Sequence, residues 1–556
     1  MPVAVSYPGV YIQEIPSGVR AITGVATSVT AFLGRALRGP DDQPVTINSF
    51  ADFERTFGGI WVESSLGYAV RDFYLNGGGQ AVIVRLYNPE TGGNAKPATS
   101  KPTVGGFKLE AAHRGAWGMN LRASTDLDVS ADVATRMGLA KADLFNLTIV
   151  ELDAAGVEVG REVFRNLSVK DGPRRVDKVL AAGSNLVRWS GAWPPNPLPT
   201  VEAVDDDVTK AEKRLKAARA ATPPVPADIT AAETALADAK QRMVASDGKA
   251  LTKTDNFTPS SGEANKKGLY ALEQADLFNL LCIPPYTSTG GVEVGLISDA
   301  AAYCEKRRAM LLVDPPSDWK DKATAKSKFT DASQDFVGTR SKNAAIFFPR
   351  LRQPNPLRDN QAEDFAPCGA VAGVIARTDA NRGVWKAPAG LDANLNGAPQ
   401  LSVLLTDAEN GELNQLGINC LRAFALGGRV IWGARTLRGA DQLADEYKYI
   451  PVRRTALYIE ESLYRGLQWV VFEPNDEPLW AQIRLNVGAF MQNMFRQGAF
   501  QGTTPRDAYF VKCDKETTTQ NDINLGIVNI IVGFAPLKPA EFVIVRIQQM
   551  AGQIAT

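Results

Sequence analysis

The side chains that could do acid–base, nucleophilic or metal chemistry are few and scattered in this chain. His113 is the only histidine. A Ser/His/Asp or Cys/His centre would have to recruit this one residue, and a histidine-rich metal site cannot form within one chain. The five cysteines are widely spaced and include no Cys-x-x-Cys pair, which is typical of a reduced, cytoplasmic protein. We therefore interpret His113 as a structural or exposed side chain.

Three further patterns have both a chemical and a structural interpretation. Asp314 follows an apolar strand, where α/β enzymes place catalytic groups, but no cofactor fingerprint accompanies it and we expect a strand-ending turn. The NGGGQA run at 76–81 lacks the P-loop lysine and precedes a strand, which favours helix termination by glycine. Glu473, Asp476 and Glu477 could form an acidic or metal site, but their spacing also suits a capped helix start, which we prefer. No catalytic residue, metal ligand or cofactor is predicted.

Composition restricts the class of partner. The 556 residues suggest about three or four domains by length alone. Lys+Arg and Asp+Glu both number 61, so no net charge steers the chain towards nucleic acid or an anionic membrane. Trp385 and Trp469 stand near arginines and could stack on bases, yet the neutral charge favours packing roles for them. Nucleic-acid binding is therefore not expected. Membrane insertion is not expected either, because no apolar run reaches about 18 residues.

Strand and helix patterns alternate in two separated stretches, 22–95 and 265–366. Apolar strands such as GVATSVTAFLG and AVIVRLY alternate with helices such as SFADFERTFGG, for which Ser49 is the predicted cap. Such alternation predicts a discontinuous α/β middle domain with a parallel or mixed sheet. Residues 96–264 then form an insertion, β-rich at first and ending in an Ala/Lys/Glu-rich helical hairpin at 205–247. The hairpin has two interpretations, a solvated outer element or a coiled-coil docking site.

Residues 367–540 predict an inner assembly domain. Its expected elements are strands at 369–379, 427–437 and 456–461, and a helix around 413–424. The FEPNDEP motif predicts the start of a long helix that ends near Gln497, with one apolar face. Short strands are then expected at 507–514, 523–537 and 541–549.

Both ends of the chain read as extended arms, at 1–21 and 541–556. Prolines block helix in the first arm while its apolar residues favour β structure, and about fifteen residues reach on the order of 50 Å, far enough to enter a neighbouring subunit. The predicted donor-strand residues are Val3, Val5, Tyr7, Val10, Tyr11 and Ile12 at the first end, and Phe542, Val543, Ile544, Val545 and Ile547 at the other. The candidate hinges are Ser17, Gly18, Leu537, Lys538 and Pro539.

Several motifs are similar to those of contractile tail sheath proteins. They are YPGVYIQEIPSG with ITGVATSVTAFLGRALRGP, SFADFERTFGG, AGVIARTDANRGVWKAPAG at 372–390, and IPVRRTALYIEESLYRGLQWVVFEPNDEPLW at 450–480. The resemblance covers both ends and the core, but not 96–264. It leaves open whether the particle would be a phage tail, an R-type bacteriocin or an extracellular injection system.

The resemblance implies a non-catalytic subunit that polymerises helically around an inner tube, contracts, and exchanges arm strands with its neighbours. Implied partners are further copies of the chain, the tube, and baseplate and terminal cap proteins, with assembly in the cytoplasm. Arg484 and Arg496 are the candidate tube contacts, because the C-terminal domain lies innermost in the family. The predicted fold is thus multidomain α/β, with a mixed-sheet middle domain, a β-rich and helical-hairpin insertion, an α+β C-terminal assembly domain and two arms. The alternative is an α/β enzyme that forms a small closed oligomer.

Overall fold

The first structural unit is a strand, a pair of helices and a returning strand, as the sequence predicts. The computed structural model describes residues 20–92, 95–153, 155–287, 290–331, 337–425 and 427–547. The first elements are β1 (Thr30–Gly34), β2 (Val45–Ile47), α1 (Phe50–Phe57), α2 (Leu66–Leu75) and β3 (Ala81–Arg85). Ser49 caps α1 by accepting a hydrogen bond from the Asp52 amide, which confirms that cap.

Residues 96–264 contain two small antiparallel sheets and then the helical hairpin. The elements are β4 (Thr103–Val104), β5 (Phe107–Ala111), β6 (Leu121–Asp126), α3 (Ala131–Arg136), β7 (Leu144–Leu152), β8 (Glu158–Ser168), α4 (Val176–Gly183), β9 (Val187–Trp189), β10 (Val204–Asp205), α5 (Asp207–Ala220) and α6 (Pro226–Arg242). The sheets have the orders β10-β6-β7-β8 and β4-β5-β9. They share a core of their own in which the rings of Phe107 and Phe145 pack together.

The chain then returns to the large sheet. The next elements are α7 (Gly262–Asn265), β11 (Leu280–Cys282), α8 (Val294–Lys306), β12 (Met310–Val313), α9 (Lys322–Thr330), β13 (Ala344–Phe348), β14 (Leu351–Asn355), β15 (Gln361–Phe365), α10 (Cys368–Arg382), β16 (Gln400–Leu401), α11 (Asp407–Asn414), β17 (Ile418–Phe424) and β18 (Gly428–Ile431). The C-terminal elements are α12 (Ile450–Gly466), α13 (Glu477–Arg496), α14 (Pro505–Ala508), β19 (Tyr509–Lys512), α15 (Gln520–Asn524) and β20 (Ile531–Phe534).

Eight strands form one mixed sheet in the order β18-β17-β13-β12-β11-β1-β3-β2. The inner strands run parallel, and β2 and β18 pair antiparallel at the two edges. Phe32 of β1 faces a core that includes Phe73 of α2, whereas Leu33 faces the opposite core, which includes Ala300 of α8. Helices therefore cover both faces, as expected for a buried parallel sheet. Strands β17 and β18 lie beyond residue 366, where the middle domain was expected to end.

Three elements beyond residue 366 differ from their predictions. The expected strand at 369–379 is the helix α10, the expected strand at 456–461 belongs to α12, and the expected helix around 413–424 consists of the end of α11 and strand β17. Helix α10 is buried on nearly all sides for its first nine residues, so its sequence shows no apolar stripe of helical period. A Cβ atom at Gly369 would lie 2.0 Å from the Ala69 carbonyl oxygen, which shows how closely α10 approaches α2.

Candidate assembly interface

The C-terminal arm is extended and exposed where the structure describes it. Its five predicted donor residues, Phe542, Val543, Ile544, Val545 and Ile547, are 73 to 93% exposed. Within the described residues this segment pairs with no strand. A run of apolar residues on both faces of an extended segment is typical of a strand that is buried on both sides. The burial that these side chains lack within the subunit is therefore available for a contact outside it.

The arm is fixed at its root by Glu541, which binds a fully buried arginine. The Glu541 carboxylate accepts hydrogen bonds from Arg435 Nε at 2.8 Å and Nη2 at 2.6 Å, and from the Tyr449 hydroxyl at 3.2 Å. Arg435 has no exposed side-chain surface and also donates to Asp441 at 2.9 Å. A bidentate pair of this kind fixes both distance and direction. The exposed arm consequently begins at Phe542.

The C-terminal hinge candidates lie between two fixed points. On one side the Gln501 amide donates to the Ala535 carbonyl at 2.9 Å, and on the other side Glu541 holds the chain. Leu537, Lys538 and Pro539 form part of the wall of a cavity of about 710 Å³ between these points. This segment thus joins β20 and the elements packed on α13 to the large sheet. The prediction for Ser17 and Gly18 and the six donor residues of the first arm lies outside the described residues.

Strands β19 and β20 form a small antiparallel sheet, here called the β19–β20 hairpin, and the chain that joins them at 513–530 includes α15. Tyr509 pairs with Phe534 and Lys512 with Ile531, and this sheet has two strands in the described part of the chain. Phe510 and Ile531 are about half exposed. A two-stranded sheet is marginally stable alone, and further strands with apolar faces would stabilise it.

Helix α13 places the two candidate tube contacts differently. Arg484 pairs with Glu477 at 2.6 Å and donates to the Cys513 carbonyl, so both groups hold its side chain against the subunit. Arg496 is exposed at the last turn. Asn486 of the same helix is buried and accepts a hydrogen bond from the Arg20 amide at 3.1 Å. The predicted apolar face is confirmed, because Leu479, Ile483, Val487, Phe490, Met491 and Met494 are all buried.

The side chains that could do chemistry have structural surroundings. His113 is half-buried, and burial followed by the nearby Arg85 charge lowers its pKa to about 4, so it is neutral at pH 7. Asp314 accepts a hydrogen bond at 2.8 Å from the Cys368 amide at the start of α10. Asp476 caps α13 by accepting from the Leu479 amide, which confirms the capping interpretation. Asn76 and Gly77 follow the end of α2, as expected for a helix terminus. All five cysteines are buried and unpaired.

Clustered ligand side chains would indicate a metal site in the described ranges, and a long apolar helix would indicate a membrane span. Within those ranges, no three histidine, cysteine, aspartate or glutamate side chains come together as a metal site requires. None of the described helices is both long and apolar enough to cross a bilayer.

Two sequence profiles of a known protein family match this chain. The sequence profile of the phage tail sheath protein central domain matches residues 259–437, and that of the phage tail sheath C-terminal domain matches residues 444–550. Together the two profiles cover just over half of the chain. The chain belongs to the phage tail sheath family. A curated relative, the tail sheath protein of Vibrio phage KVP40, is 32% identical over 127 residues, which is 23% of this sheath protein and only 18% of the relative.

Solved structures show the same fold along nearly the whole sheath protein. The contracted helical sheath of the anti-feeding prophage (AFP) matches with a TM-score of 0.56 at 21% identity, covering 98% of this chain and 100% of that one. The contracted sheath complex of PVC, an extracellular contractile injection system, matches with 0.52 at 21% identity and 99% of each chain. A sheath tail protein of Listeria innocua matches with 0.55 at 13% identity, covering 93% of this chain and 96% of that one. This coverage includes the insertion, where the sequence motifs gave no resemblance.

Three important residues of this sheath protein were missed by the sequence patterns. Arg435 and Glu541 are 106 positions apart, and neither belongs to a motif with a recognised spacing. The third is Arg454 of α12, which binds Asp379 of α10 through two hydrogen bonds at 2.8 and 2.6 Å. Arg454 precedes the ALYIEE stretch at 456–461, which was interpreted as a strand, and no spacing in the sequence links it to Asp379.

Replacing Asp314 by asparagine is expected to change how stability depends on pH. Burial raises the pKa of Asp314 to about 6 from 3.8, so its contribution to stability is complete below pH 3.8 and is lost as the pH rises through 6. A rise of about two pKa units corresponds to roughly 3 kcal/mol of unfolding free energy. Asp314→Asn cannot ionise and still offers an oxygen to the Cys368 amide. The variant should therefore gain stability relative to wild type between pH 4.5 and 7.5.

Urea unfolding of both proteins at the two pH values measures this gain. The matched control is Asp321→Asn, because Asp321 caps α9 from an exposed position and hydrogen bonds from the Thr324 backbone and hydroxyl lower its pKa. A group with a lowered pKa stabilises above its unfolded pKa and loses that contribution only as the pH falls below it, so the stability of the control relative to wild type should hardly change between pH 4.5 and 7.5. A stability difference between Asp314→Asn and wild type that stays constant with pH would contradict the assignment.

Proposed function

We propose that this chain is the structural subunit of a contractile sheath, which polymerises helically around an inner tube and contracts to drive the tube through a target envelope. One observation supports this most directly, namely the exposed apolar segment from Phe542 to Ile547 beyond a root that Glu541 fixes. A monomeric protein gains nothing from such a segment, whereas a polymer gains both main-chain hydrogen bonds and apolar burial. Membership of the sheath family agrees with this role. We propose no catalytic activity.

The two arms are the proposed links between subunits. The C-terminal arm of one copy would add a strand to the β19–β20 hairpin of a neighbour, and the N-terminal arm would do the same at the other free edge. Main-chain hydrogen bonds tolerate rotation of the domains that they connect when the chain can turn beside them. Because the chain is fixed at Glu541, we place the turning point of the C-terminal arm at residues 541–542 instead of 537–539. A head-to-tail contact of this kind generates a helix.

Contraction requires two packings of the same subunits, with the contracted lattice lower in free energy and the extended one held by tube and baseplate. A difference of about 1 to 3 kcal/mol per subunit would accumulate over a long cooperative sleeve. We propose α13 as the tube contact, with Arg496 as its exposed cation. Arg484 would contribute to the tube contact indirectly, because its bonds to Glu477 and to the Cys513 carbonyl hold α13 in place.

Negative-stain electron microscopy of the purified full-length chain across a concentration series tests the proposed function. Hollow helical sleeves above a threshold concentration, or on addition of the cognate tube, would support it. Small closed oligomers at every concentration, with and without the tube, would exclude it and return the enzyme alternative.

Releasing the arm root is expected to weaken assembly without unfolding the subunit. Glu541→Ala and Asp441→Ala each remove one carboxylate from Arg435, but only the first frees the arm. We expect about a tenfold rise in the critical concentration for Glu541→Ala, because loss of one charged pair costs on the order of 1.5 to 3 kcal/mol. Sedimentation measures it, and faster amide exchange at 535–541 reports the release. Equal effects of the two substitutions on assembly would show that the Arg435–Glu541 pair does not act through the arm.

A further inference from the structure

The loop that leads into α13 carries a phenylalanine in an unusual position. Phe472 is 101% exposed, so its ring packs against none of the described residues. Its φ is +70°, a left-handed conformation that bulky residues rarely adopt and that costs free energy. Val471 beside it is 58% exposed. A strained backbone that holds an aromatic ring away from its own subunit indicates a contact with another molecule.

The residues around this ring are acidic. Glu473, Asp476 and Glu477 follow it, and all three are exposed. Asp476 is fixed as the cap of α13 and Glu477 pairs with Arg484, whereas Glu473 has no ion-pair partner among the described residues. We name residues 471–477 the knob. Its partner should combine an apolar cavity with positive charge.

The same chain contains a cavity with this chemistry. It has a volume of about 710 Å³, several times that of one phenylalanine side chain, and Trp385, Trp432, Leu537 and Pro539 form its apolar walls. The basic residues Arg382, Lys386 and Lys538 also line it, together with Glu541, whose charge is balanced by Arg435. We name this cavity the socket. An aromatic ring between tryptophans gains edge-to-face contacts in addition to apolar burial.

Knob and socket lie at opposite ends of α13. The knob ends at Glu477, the first residue of the helix, whereas Gln497 and Gly498, just beyond its last residue, line the socket. A helix of 20 residues is about 30 Å long, so the two cannot meet within one subunit. We propose that the knob of each subunit inserts Phe472 into the socket of a neighbouring copy. Because the two surfaces differ, the contact leaves a free knob and a free socket on every growing assembly.

The pairing rests on the proposed function, since only a self-assembling chain brings knob and socket together. Photo-crosslinking of assembled sleeves tests it, with p-benzoylphenylalanine introduced at position 472. Peptide mapping should find the crosslink in 382–390, 432–434 or 537–542 of another copy. Crosslinks to the tube protein, to another surface of the sheath, or to nothing would overturn the pairing while leaving the sheath function intact. Failure of the wild-type chain to form sleeves under any condition would overturn both.

Substitution gives an independent measurement. Phe472→Ala should raise the critical concentration for assembly about 10- to 100-fold, because burial of one phenylalanine contributes that factor. Its thermal unfolding as a monomer should not change, since the ring has no contacts to lose. Leu404→Ala is the matched control, because Leu404 is 75% exposed and belongs to neither surface. Equal assembly by both variants would contradict the knob.

Charge exchange tests the direction of the contact. Glu473→Lys and Lys386→Glu should each weaken assembly, because each places like charges together at the rim of the socket. The double variant restores opposite charges and should recover most of the loss. If the two effects simply add, Glu473 and Lys386 do not meet, and the proposed orientation of the knob is wrong.

Discussion

Deletion of residues 542–556 is expected to yield a folded subunit that no longer forms sleeves. The described part of this segment, 542–547, is largely exposed and contributes little packing, so the unfolding free energy should change by less than about 0.5 kcal/mol. A strand added to a sheet makes several main-chain hydrogen bonds worth about 0.5 to 1.5 kcal/mol each, besides apolar burial. The critical concentration should therefore rise by more than about 100-fold. Sedimentation and electron microscopy measure it.

A mixing experiment distinguishes loss of a donor strand from general damage. The truncated subunit keeps the β19–β20 hairpin and can still accept a strand, although it cannot donate one. Small amounts of it added to full-length protein should therefore shorten the sleeves. As a control, Val543→Thr with Val545→Thr keeps the backbone and β-branched shape, and should weaken assembly far less than deletion. Normal sleeves from the truncated chain alone would exclude strand donation.

The sequence predicts those parts of the fold whose signals are local. Strand β1, helix α1 with its Ser49 cap and the apolar face of α13 are confirmed, because periodicity and capping are properties of neighbouring residues. Helices α10 and α12 were mistaken for strands. The first is buried on nearly every side and so shows no polar and apolar stripe, and the second was interpreted from ALYIEE at 456–461, a stretch too short to distinguish a helix from a strand.

In the assembly interface, too, the sequence predicts local features but not contacts between distant residues. The apolar arm at 542–547 is visible in the sequence, because an exposed apolar run needs no tertiary context to be recognised. The Arg435–Glu541 pair that fixes the arm is not visible in the sequence, because the two residues are 106 positions apart and only the fold brings them together. Similarly, the FEPNDEP motif predicts the Asp476 cap, whereas the left-handed backbone of Phe472 appears only in three dimensions.

Asp379→Asn is expected to cause a large loss of stability at the junction between the sheet and the C-terminal helices. Arg454 and Asp379 have side chains that are 3% and 4% exposed, and Arg454 also donates to the Thr27 carbonyl at 2.7 Å. This one arginine thus connects α12, α10 and the segment that enters β1. Breaking a buried ion pair leaves a charge without its partner in a low-dielectric site, which costs about 3 to 5 kcal/mol. The unfolding free energy should fall by that amount.

Asp392→Asn provides the matched control for this loss. Asp392 faces Arg382, at the end of the same helix α10, across 4.0 Å, and the two side chains are 90% and 60% exposed. Exposed pairs contribute about 0 to 1 kcal/mol because water screens them, so this control should be nearly neutral. Urea unfolding and amide exchange across α12 compare the two variants. Equal stability would mean that apolar packing alone holds α12 against the sheet. Selective loss in Asp379→Asn would show that Arg454 holds α12 against α10 and the segment that enters β1, and so keeps the sheet and the C-terminal helices together while the sheath changes its packing.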